Sequence, residues 1–164
     1  MTDDKQRLEH AKWLFDRTLG WIATADVKVG AAVAIDAALV GGLAAAFAAS
    51  PPGSRTGWVL LSIVASLGSL VIAIYCAAMA AIPRMLGPIK SMIFFARIAE
   101  HKEPDYVDKF LKVTEREFLI DLITQIHRNA EISTSKHAWV RKSLTWSFLA
   151  TLPWLSAVIL LVKV

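Results

Sequence analysis

Apolar residues in this chain are concentrated in three long runs, and polar residues fill the segments between them. The runs cover residues 27–49, 58–82 and 144–162. Each run is close to the length of about 20 apolar residues that an α-helix needs to cross a bilayer. A soluble protein of this size spreads its apolar residues along helix or strand faces instead. The pattern therefore predicts an all-α integral membrane protein.

A short turn joins the first two runs. Residues 50–57 hold two prolines and two glycines, which helices do not cross. Two spans with so short a connection predict an antiparallel transmembrane hairpin over residues 25–83. The third run contains Pro153, which membrane helices tolerate. We therefore predict a third transmembrane helix within residues 143–164, and a re-entrant or peripheral helix is the alternative.

The polar segments also have helical periodicity. Residues 1–24 predict an amphipathic helix that either lies on a membrane surface or packs without lipid contact. Residues 84–142 hold 11 Lys or Arg and 8 Asp or Glu, and they predict a helical segment outside the bilayer. Its apolar spacing indicates one helix near 88–100 and another near 105–130, with Pro104 in the first turn of the second.

Charge predicts the orientation of these segments. The net charge is +4. In a membrane protein, excess Lys and Arg indicate the orientation of the helices in the membrane before they indicate nucleic-acid binding. The turn at 50–57 holds one Arg, whereas residues 1–28 hold five Lys or Arg and residues 84–142 hold 11. The positive-inside rule places the N-terminus and residues 84–142 in the cytosol. With three spans, the C-terminal residues 163–164 lie outside.

Asp36 is the charged residue in the middle of the first run. A carboxylate near the bilayer centre costs a few kcal/mol. Folding the hairpin brings Asp36 level with Ser69, which shares one helical stripe with Ser62 and Ser66. Two hypotheses stay open: these groups line an ion path or a rearranging interface, or Asp36 hydrogen-bonds a serine and holds the hairpin together.

Asp26 and Lys28 stand where the first run begins. Asp26 is predicted to cap the start of the spanning helix, where the helix dipole favours an anion. Lys28 is predicted to snorkel or to bind an anion, and anchoring of the helix end is the simpler interpretation for both. The Ala- and Gly-rich face of this run fits homo-oligomerisation and packing within one protomer equally well.

Catalytic motifs are not recognisable in the sequence. There is no HExxH, GxSxG or glycine-rich phosphate loop, and Cys76 is the single cysteine. His127 and Glu131 are four residues apart on a predicted helix, but two ligands alone are a weak metal site. We therefore predict that the chain is not an enzyme and that it has no metal and no cofactor.

Several short motifs, taken in order, resemble those of the Pycsar effector transmembrane family. Thr24-Ala25-Asp26-Val27-Lys28 is similar to the AD-x-K signature that opens the first span. The later landmarks are Pro83-Arg84, Ile93-Phe94-Phe95, Ile98-Ala99, Asp105-Tyr106, Asp121, Gln125-Ile126, Ile132-Ser133 and Lys136. The resemblance covers about residues 20–160, which is nearly the whole chain.

The resemblance implies a bacterial inner-membrane effector of anti-phage defence. In such systems a partner cyclase makes cyclic CMP or cyclic UMP, and the effector then damages the membrane so that the cell stops growing or dies. A binding site in this chain would have to be built from helices, within one protomer or between protomers. The candidate phosphate contacts are Arg84, Lys90, Arg97 and Arg128, and the candidate gating or packing residues are Asp26, Lys28, Asp36 and Ser69. The alternative function is a membrane anchor that recruits a soluble partner through its cytosolic helices.

Overall fold

The computed structural model describes residues 3–84 and 87–162, and most of them lie in five α-helices. In chain order these are α1 Asp3–Ala49, α2 Gly57–Ala81, α3 Phe95–Glu100, α4 Glu103–Lys112 and α5 Glu115–Val162. Of the described residues, 88 % are helical and none lies in a strand. The predicted all-α fold is therefore confirmed. Residues 1–2, 85–86 and 163–164, which include the predicted outward-facing C-terminus, lie outside the described residues.

Three helices, α1, α2 and α5, are long and apolar enough to cross a membrane. They contain the three apolar runs of the sequence, so the predicted spans are confirmed by length and composition. α5 continues through Pro153 without interruption. Because α1 and α5 have 47 and 48 residues, each is more than twice as long as a single span requires.

α1 joins two elements that the sequence pattern separated. We predicted an amphipathic helix over 1–24 and a separate span from residue 27, but the described helix runs from Asp3 to Ala49 without a break. No proline lies in this stretch to remove a backbone donor. Asp26 is consequently inside a helix, and the prediction that it caps a helix start is wrong.

The helix predicted over 105–130 is two helices, because Thr114 starts a new one. The Thr114 hydroxyl accepts a hydrogen bond from the Glu117 amide at 3.2 Å, and Glu117 Oε2 accepts one from the Thr114 amide at 2.9 Å. This reciprocal capping box satisfies two amides that have no partner within a helix. The Thr114 amide that donates to Glu117 also lowers the pKa of that carboxyl.

The helix predicted over 88–100 is shorter than expected, and α3 begins only at Phe95. Ser91 Oγ accepts hydrogen bonds from the amides of the second and third residues after it, at 3.2 and 3.1 Å. The Met92 amide donates to Asp121 Oδ2 at 2.7 Å. Since side chains hold these amides, they do not form the backbone bonds of a helix.

The described helices belong to two compact units. The charged unit comprises Met1–Thr24 and Pro83–Ser135, and the apolar unit comprises Ala25–Ile82 and Lys136–Val164. In the charged unit, α1 buries Ala11 and Thr18 on one face. This burial supports the packing interpretation of the N-terminal helix.

In the apolar unit, buried side chains recur along each helix mostly at spacings of three, four or seven residues. They are Ala25, Val29, Ala32, Asp36 and Leu43 of α1, Val59, Ser66, Leu70, Ala73, Cys76, Ala77 and Ala80 of α2, and Lys136, Val140, Ser143, Ser147, Ala150, Ala157 and Leu161 of α5. This spacing is that of interlocking helix seams. Ala25, Val29, Ala77, Ala80 and Val140 pack as one cluster.

The hairpin turn between α1 and α2 is fixed by its one arginine. Arg55 Nη2 donates to the backbone carbonyls of Phe47 at 3.2 Å and Ser50 at 3.0 Å. The guanidinium also lies over the Phe47 ring, 4.3 Å from its centroid. Arg55 therefore caps the C-terminal end of α1, where unpaired carbonyls and the helix dipole favour a cation.

Gly42 marks a close approach of α5 to α1. A Cβ at this position would lie 3.2 Å from the ring of Trp154, whose Nε1 donates to the Leu39 carbonyl at 2.7 Å. We expect Gly42→Val to displace the indole and lower the free energy of unfolding by about 1–3 kcal/mol. Gly41→Val is the matched control, because no atom lies within 4 Å of its Cβ position. Thermal unfolding in detergent compares the two, and equal losses would contradict the prediction.

Candidate functional site

The charged unit contains a cleft of about 820 Å³. Its walls come from the turn before α3, from α3 and α4, and from the first turns of α5. Small-molecule sites in proteins have volumes of about 300–1,000 Å³. The cleft therefore has the size of a site for one small ligand.

A buried hydrogen bond fixes one wall of the cleft. Ser91, in the turn before α3, is buried and receives a hydrogen bond from Gln125 Nε2 of α5 at 2.8 Å. Because the same hydroxyl oxygen also accepts two backbone amides, Ser91 ties the turn to α5.

The neighbouring residue Met92 is held from two helices. Its amide donates to Asp121 of α5 at 2.7 Å, and its carbonyl accepts the Tyr106 hydroxyl of α4 at 2.9 Å. Both polar groups of this backbone segment are therefore satisfied, as buried backbone requires. The turn that lines the cleft is thus an ordered part of the charged unit.

The cleft carries a balanced set of charges, and several of them are already paired. Arg97 Nη1 donates to both carboxylate oxygens of Glu100, at 2.7 and 2.9 Å. Lys112 Nζ donates to Asp108 at 2.7 Å. These two cations are neutralised by their own neighbours, so they contribute little to attracting an anionic ligand.

Two lysines of the cleft have no carboxylate partner within the described ranges. Lys109 Nζ lies 3.4 Å from His101 Nε2 and forms no ion pair there. Lys90 is exposed on the wall formed by the turn before α3, and the described part of the chain offers it no ion pair. Lys90 and Lys109 are consequently the cations most available to an anion in this cleft.

The four cations predicted to contact phosphate do not form one cluster. Lys90 and Arg97 line the cleft. Arg84 donates to Ser135 Oγ at 2.9 Å, and Arg128 donates to a nearby carboxylate at 2.9 Å. Neither Arg84 nor Arg128 is among the residues that line the cleft.

His127 and Glu131 form an exposed pair, with 3.8 Å between Nδ1 and Oε1. Arg128 hydrogen-bonds Glu131 and holds the pKa of that carboxyl below its usual range. Residues 3–84 and 87–162 contain no group of three or more His, Cys, Asp or Glu side chains that fits a metal ion. The pair is thus engaged in a local ion network.

The apolar unit contains an ion pair between residues far apart in sequence. Lys136 Nζ of α5 donates to Asp26 Oδ1 of α1. The side chain of Lys136 is only 8 % exposed, whereas that of Asp26 is 49 % exposed. Lys28, the other charged residue of the signature, is exposed.

Asp36 is fully buried in the same unit, and neither of its carboxylate oxygens has a hydrogen-bond partner in the described protein. Ser147 of α5 is also buried, and its hydroxyl donates to the Ser143 carbonyl at 3.0 Å. Ser66 is the fully buried serine of α2. Ser69, the serine singled out from the sequence, is half-buried and donates to the Ala65 carbonyl at 2.9 Å.

The structure adds site residues that the sequence pattern did not assign, above all Ser91, Gln125 and Lys109. A signal for part of this set was present on α5. Its buried polar side chains recur at three- or four-residue spacing along one face, and they are Gln125, Asn129, Ser133 and Lys136. Polar residues at core positions of a helix are costly unless they are hydrogen-bonded, so such a stripe predicts specific partners.

The comparisons with known proteins agree with this architecture. Residues 10–163 match the family PycTM, described as Pycsar effector protein domain. Neither the curated proteins nor the solved structures include a match. The family match covers nearly the whole chain, and it implies a membrane context and a partner cyclase. The chain therefore belongs to the PycTM family of Pycsar effectors and is a membrane effector of anti-phage defence.

Proposed function

We propose that this effector is activated by a cyclic pyrimidine nucleotide, cyclic UMP or cyclic CMP, bound in the cleft of the charged unit. Activation impairs the membrane and causes abortive infection. The observation that supports this proposal is the cleft itself, which has the volume of a small-ligand site and two lysines without a carboxylate partner among the described residues. No covalent chemistry is required, and the effector acts without being an enzyme.

The cleft offers a group for each part of such a nucleotide. Lys90 and Lys109 would contact the singly charged cyclic phosphate, because charge-assisted hydrogen bonds to phosphate are strong. Phe118 offers an aromatic surface for a pyrimidine ring. The carboxylates of Glu117 and Asp121 would accept N–H groups of the base. Of the four cations predicted from the sequence, the proposal keeps Lys90 and Arg97 at this site.

The proposed placement is a bacterial inner membrane. The N-terminus and residues 84–142 lie in the cytosol, where a partner cyclase releases its product. Excess Lys and Arg in these segments support this orientation. The nucleotide then reaches the charged unit without crossing the bilayer.

Activation requires that the nucleotide bind one arrangement of the protein better than another, because only differential affinity shifts an equilibrium. The proposal includes a homo-oligomer whose protomers rearrange when the cleft is filled. The Ala- and Gly-rich face of α1 supports close approach between helices. Asp26, Lys28, Asp36 and Ser69 stay the predicted gating or packing residues.

Binding to the purified full chain tests the proposal. We expect titration calorimetry to detect cyclic UMP or cyclic CMP, and Lys109→Ala to weaken binding at least tenfold. The loss of a charged hydrogen bond of about 1.5–3 kcal/mol gives this factor. Lys12→Ala is the matched control, because Lys12 is an exposed lysine paired with Glu9 and does not line the cleft.

Membrane damage is measured on the same protein in liposomes. Loss of an imposed ion gradient is expected with the nucleotide that binds, and Lys109→Ala should require a correspondingly higher concentration. Binding that Lys109→Ala and Lys90→Ala leave unchanged would remove the cleft from the proposal. Absence of binding by either cyclic pyrimidine would overturn direct activation.

A membrane anchor for a soluble partner is the second candidate function. The observation that favours it is the exposed apolar surface of α4, which includes Val107, Phe110 and Leu111. Exposed apolar side chains that lie together commonly mark interaction sites. Nucleotide-dependent loss of an ion gradient in liposomes that contain only this chain would decide against this candidate.

A further inference from the structure

The central part of the apolar unit holds an unusual number of buried polar groups without partners. Both oxygens of Asp36 and the hydroxyls of Ser66 and Ser143 are buried, and none of them has a hydrogen-bond partner in the described protein. These residues come from α1, α2 and α5, so all three spanning helices contribute one. Polar groups that are buried without partners are rare, and inside a membrane they usually mark a functional pathway.

The register of the helices places these groups at neighbouring levels of the bundle. Val29 and Val140 pack in one cluster, and Asp36 and Ser147 lie seven residues beyond them on α1 and α5. Seven residues are about two helical turns, so Asp36 and Ser147 share the next level.

Further buried or hydrogen-bonded polar groups lie along the bundle on both sides of the level of Asp36. Ser143 lies one turn before Ser147 on α5. In the antiparallel helix α2, Ser66 lies eleven residues before Ala77 of the cluster. Since Asp36 lies seven residues from the cluster on α1, Ser66 stands one turn beyond the level of Asp36. One more turn along α2, Ser62 donates to Ser156 of α5 at 3.4 Å.

The other end of the series is closed by apolar side chains. The cluster of Ala25, Val29, Ala77, Ala80 and Val140 separates Ser143 from the ion pair between Asp26 and Lys136. Small apolar side chains at such a point make a constriction that conducts only when water enters it. Among the described buried residues of the apolar unit, the other titratable side chains are those of Cys76 and of Lys136, which pairs with Asp26.

We propose that Asp36, Ser143 and Ser66 form a proton path through each protomer, closed in this structure by the alanine and valine cluster. A buried carboxylate without a partner must be neutralised by a proton or by a cation. The oxygens of this path are spread along the bundle, one turn apart, whereas hard metal cations take about six oxygens at one point. A proton needs only hydroxyls and water in sequence, so the proton is the permeant ion that this arrangement fits.

This inference deepens the proposed function, on which it rests, by naming what crosses the membrane. Reconstituted full-length protein tests it in liposomes of phosphatidylethanolamine and phosphatidylglycerol. A potassium gradient with valinomycin sets an inside-negative potential, and trapped pyranine reports internal pH. Cyclic UMP or cyclic CMP is added on both sides, and a sodium-sensitive dye is read in parallel.

The expected result is acidification by the wild-type protein with nucleotide present, at least tenfold slower acidification with the isosteric Asp36→Asn, and little sodium entry. Ser66→Ala and Ser143→Ala should slow acidification several-fold. Thr145→Val is the matched control, because Thr145 lies on the same helix, is exposed and donates only to the Arg141 carbonyl. Val140→Ser hydrates the constriction and should acidify the vesicles without nucleotide.

The proposal is overturned if Asp36→Asn conducts protons at the wild-type rate, if sodium enters as fast as protons, or if wild-type vesicles stay proton-tight in every condition. Calorimetry on wild type and Asp36→Asn decides separately whether the nucleotide binds. A protein that binds the nucleotide but releases large dyes independently of Asp36 retains the proposed function and loses the proton path.

Discussion

Replacing Asp26 by alanine is expected to lower the free energy of unfolding by about 3 kcal/mol, because it leaves Lys136 charged and buried without its partner. Replacing Lys136 by methionine should cost about 1 kcal/mol or less. Methionine fills a similar volume, and the remaining Asp26 side chain is 49 % exposed and reaches water. The two substitutions differ in their expected cost because Lys136 is buried and Asp26 is half exposed, and not because of the strength of the ion pair.

Thermal and chemical unfolding in detergent measure both variants and the double variant Asp26→Ala/Lys136→Met. The double variant should be more stable than Asp26→Ala alone, because it removes the unpaired buried charge. Glu9→Ala is the control, since it breaks an ion pair with Lys12, which is well exposed, and should change stability by about 0.5 kcal/mol or less. If Lys136→Met lowered the free energy of unfolding more than Asp26→Ala does, burial of the unpaired lysine would not explain the loss of stability.

Replacing Ser91 by alanine is expected to destabilise the charged unit by about 3 kcal/mol. The Ser91 hydroxyl oxygen accepts two backbone amides and the buried Gln125 side-chain amide, and alanine leaves these donors without an acceptor. Each buried donor without a partner costs about 1–3 kcal/mol. Because Ser91 lines the cleft, affinity for a bound nucleotide should fall as well.

Thr124→Ala is the control for this change. Thr124 also lines the cleft, but it is exposed and its hydroxyl donates only to the Ile120 carbonyl at 2.8 Å within the same helix. Hydrogen exchange of the turn before α3, together with the unfolding temperature, separates the two variants. If the amides of the turn were equally protected from exchange in Ser91→Ala and Thr124→Ala, the hydrogen bonds of Ser91 would not be what holds the turn.

The breaks between helices were partly readable from the sequence. Thr114 and Glu117 have the spacing of a capping box, so the start of α5 followed from a local rule that the periodicity of apolar residues concealed. The late start of α3 was different. It depends on Asp121, which lies 29 residues after the Met92 amide it binds.

The sequence did not reveal which face of α2 is buried, although it did reveal the stripe of serines on that helix. Ser62, Ser66 and Ser69 stand on a helix that is apolar all round, and such a helix has no amphipathic signal to identify its inner face. The structure buries Ser66 and leaves Ser69 half-buried. The partner helices decided which serine of α2 is buried in the bundle.

For the candidate phosphate contacts too, the sequence identified the residues and the tertiary structure decided which of them are already paired. The sequence identified Arg84, Lys90, Arg97 and Arg128 as possible phosphate contacts, but a cation in a sequence does not reveal which carboxylate lies beside it. In the structure Arg97 is engaged by Glu100, whereas Lys109, which the sequence did not single out, has no carboxylate partner in the described region.

Sequence by itself determined the three spans, the hairpin and the family, because burial in a bilayer requires long apolar runs and short motifs keep their order along the chain. Only the tertiary structure decided that Asp26 meets Lys136 across 110 residues and that Asp36 is buried with no hydrogen-bond partner among the described residues. Such contacts depend on how helices rotate and align against one another. Packing of the whole bundle sets that alignment, and no local pattern along one helix encodes it.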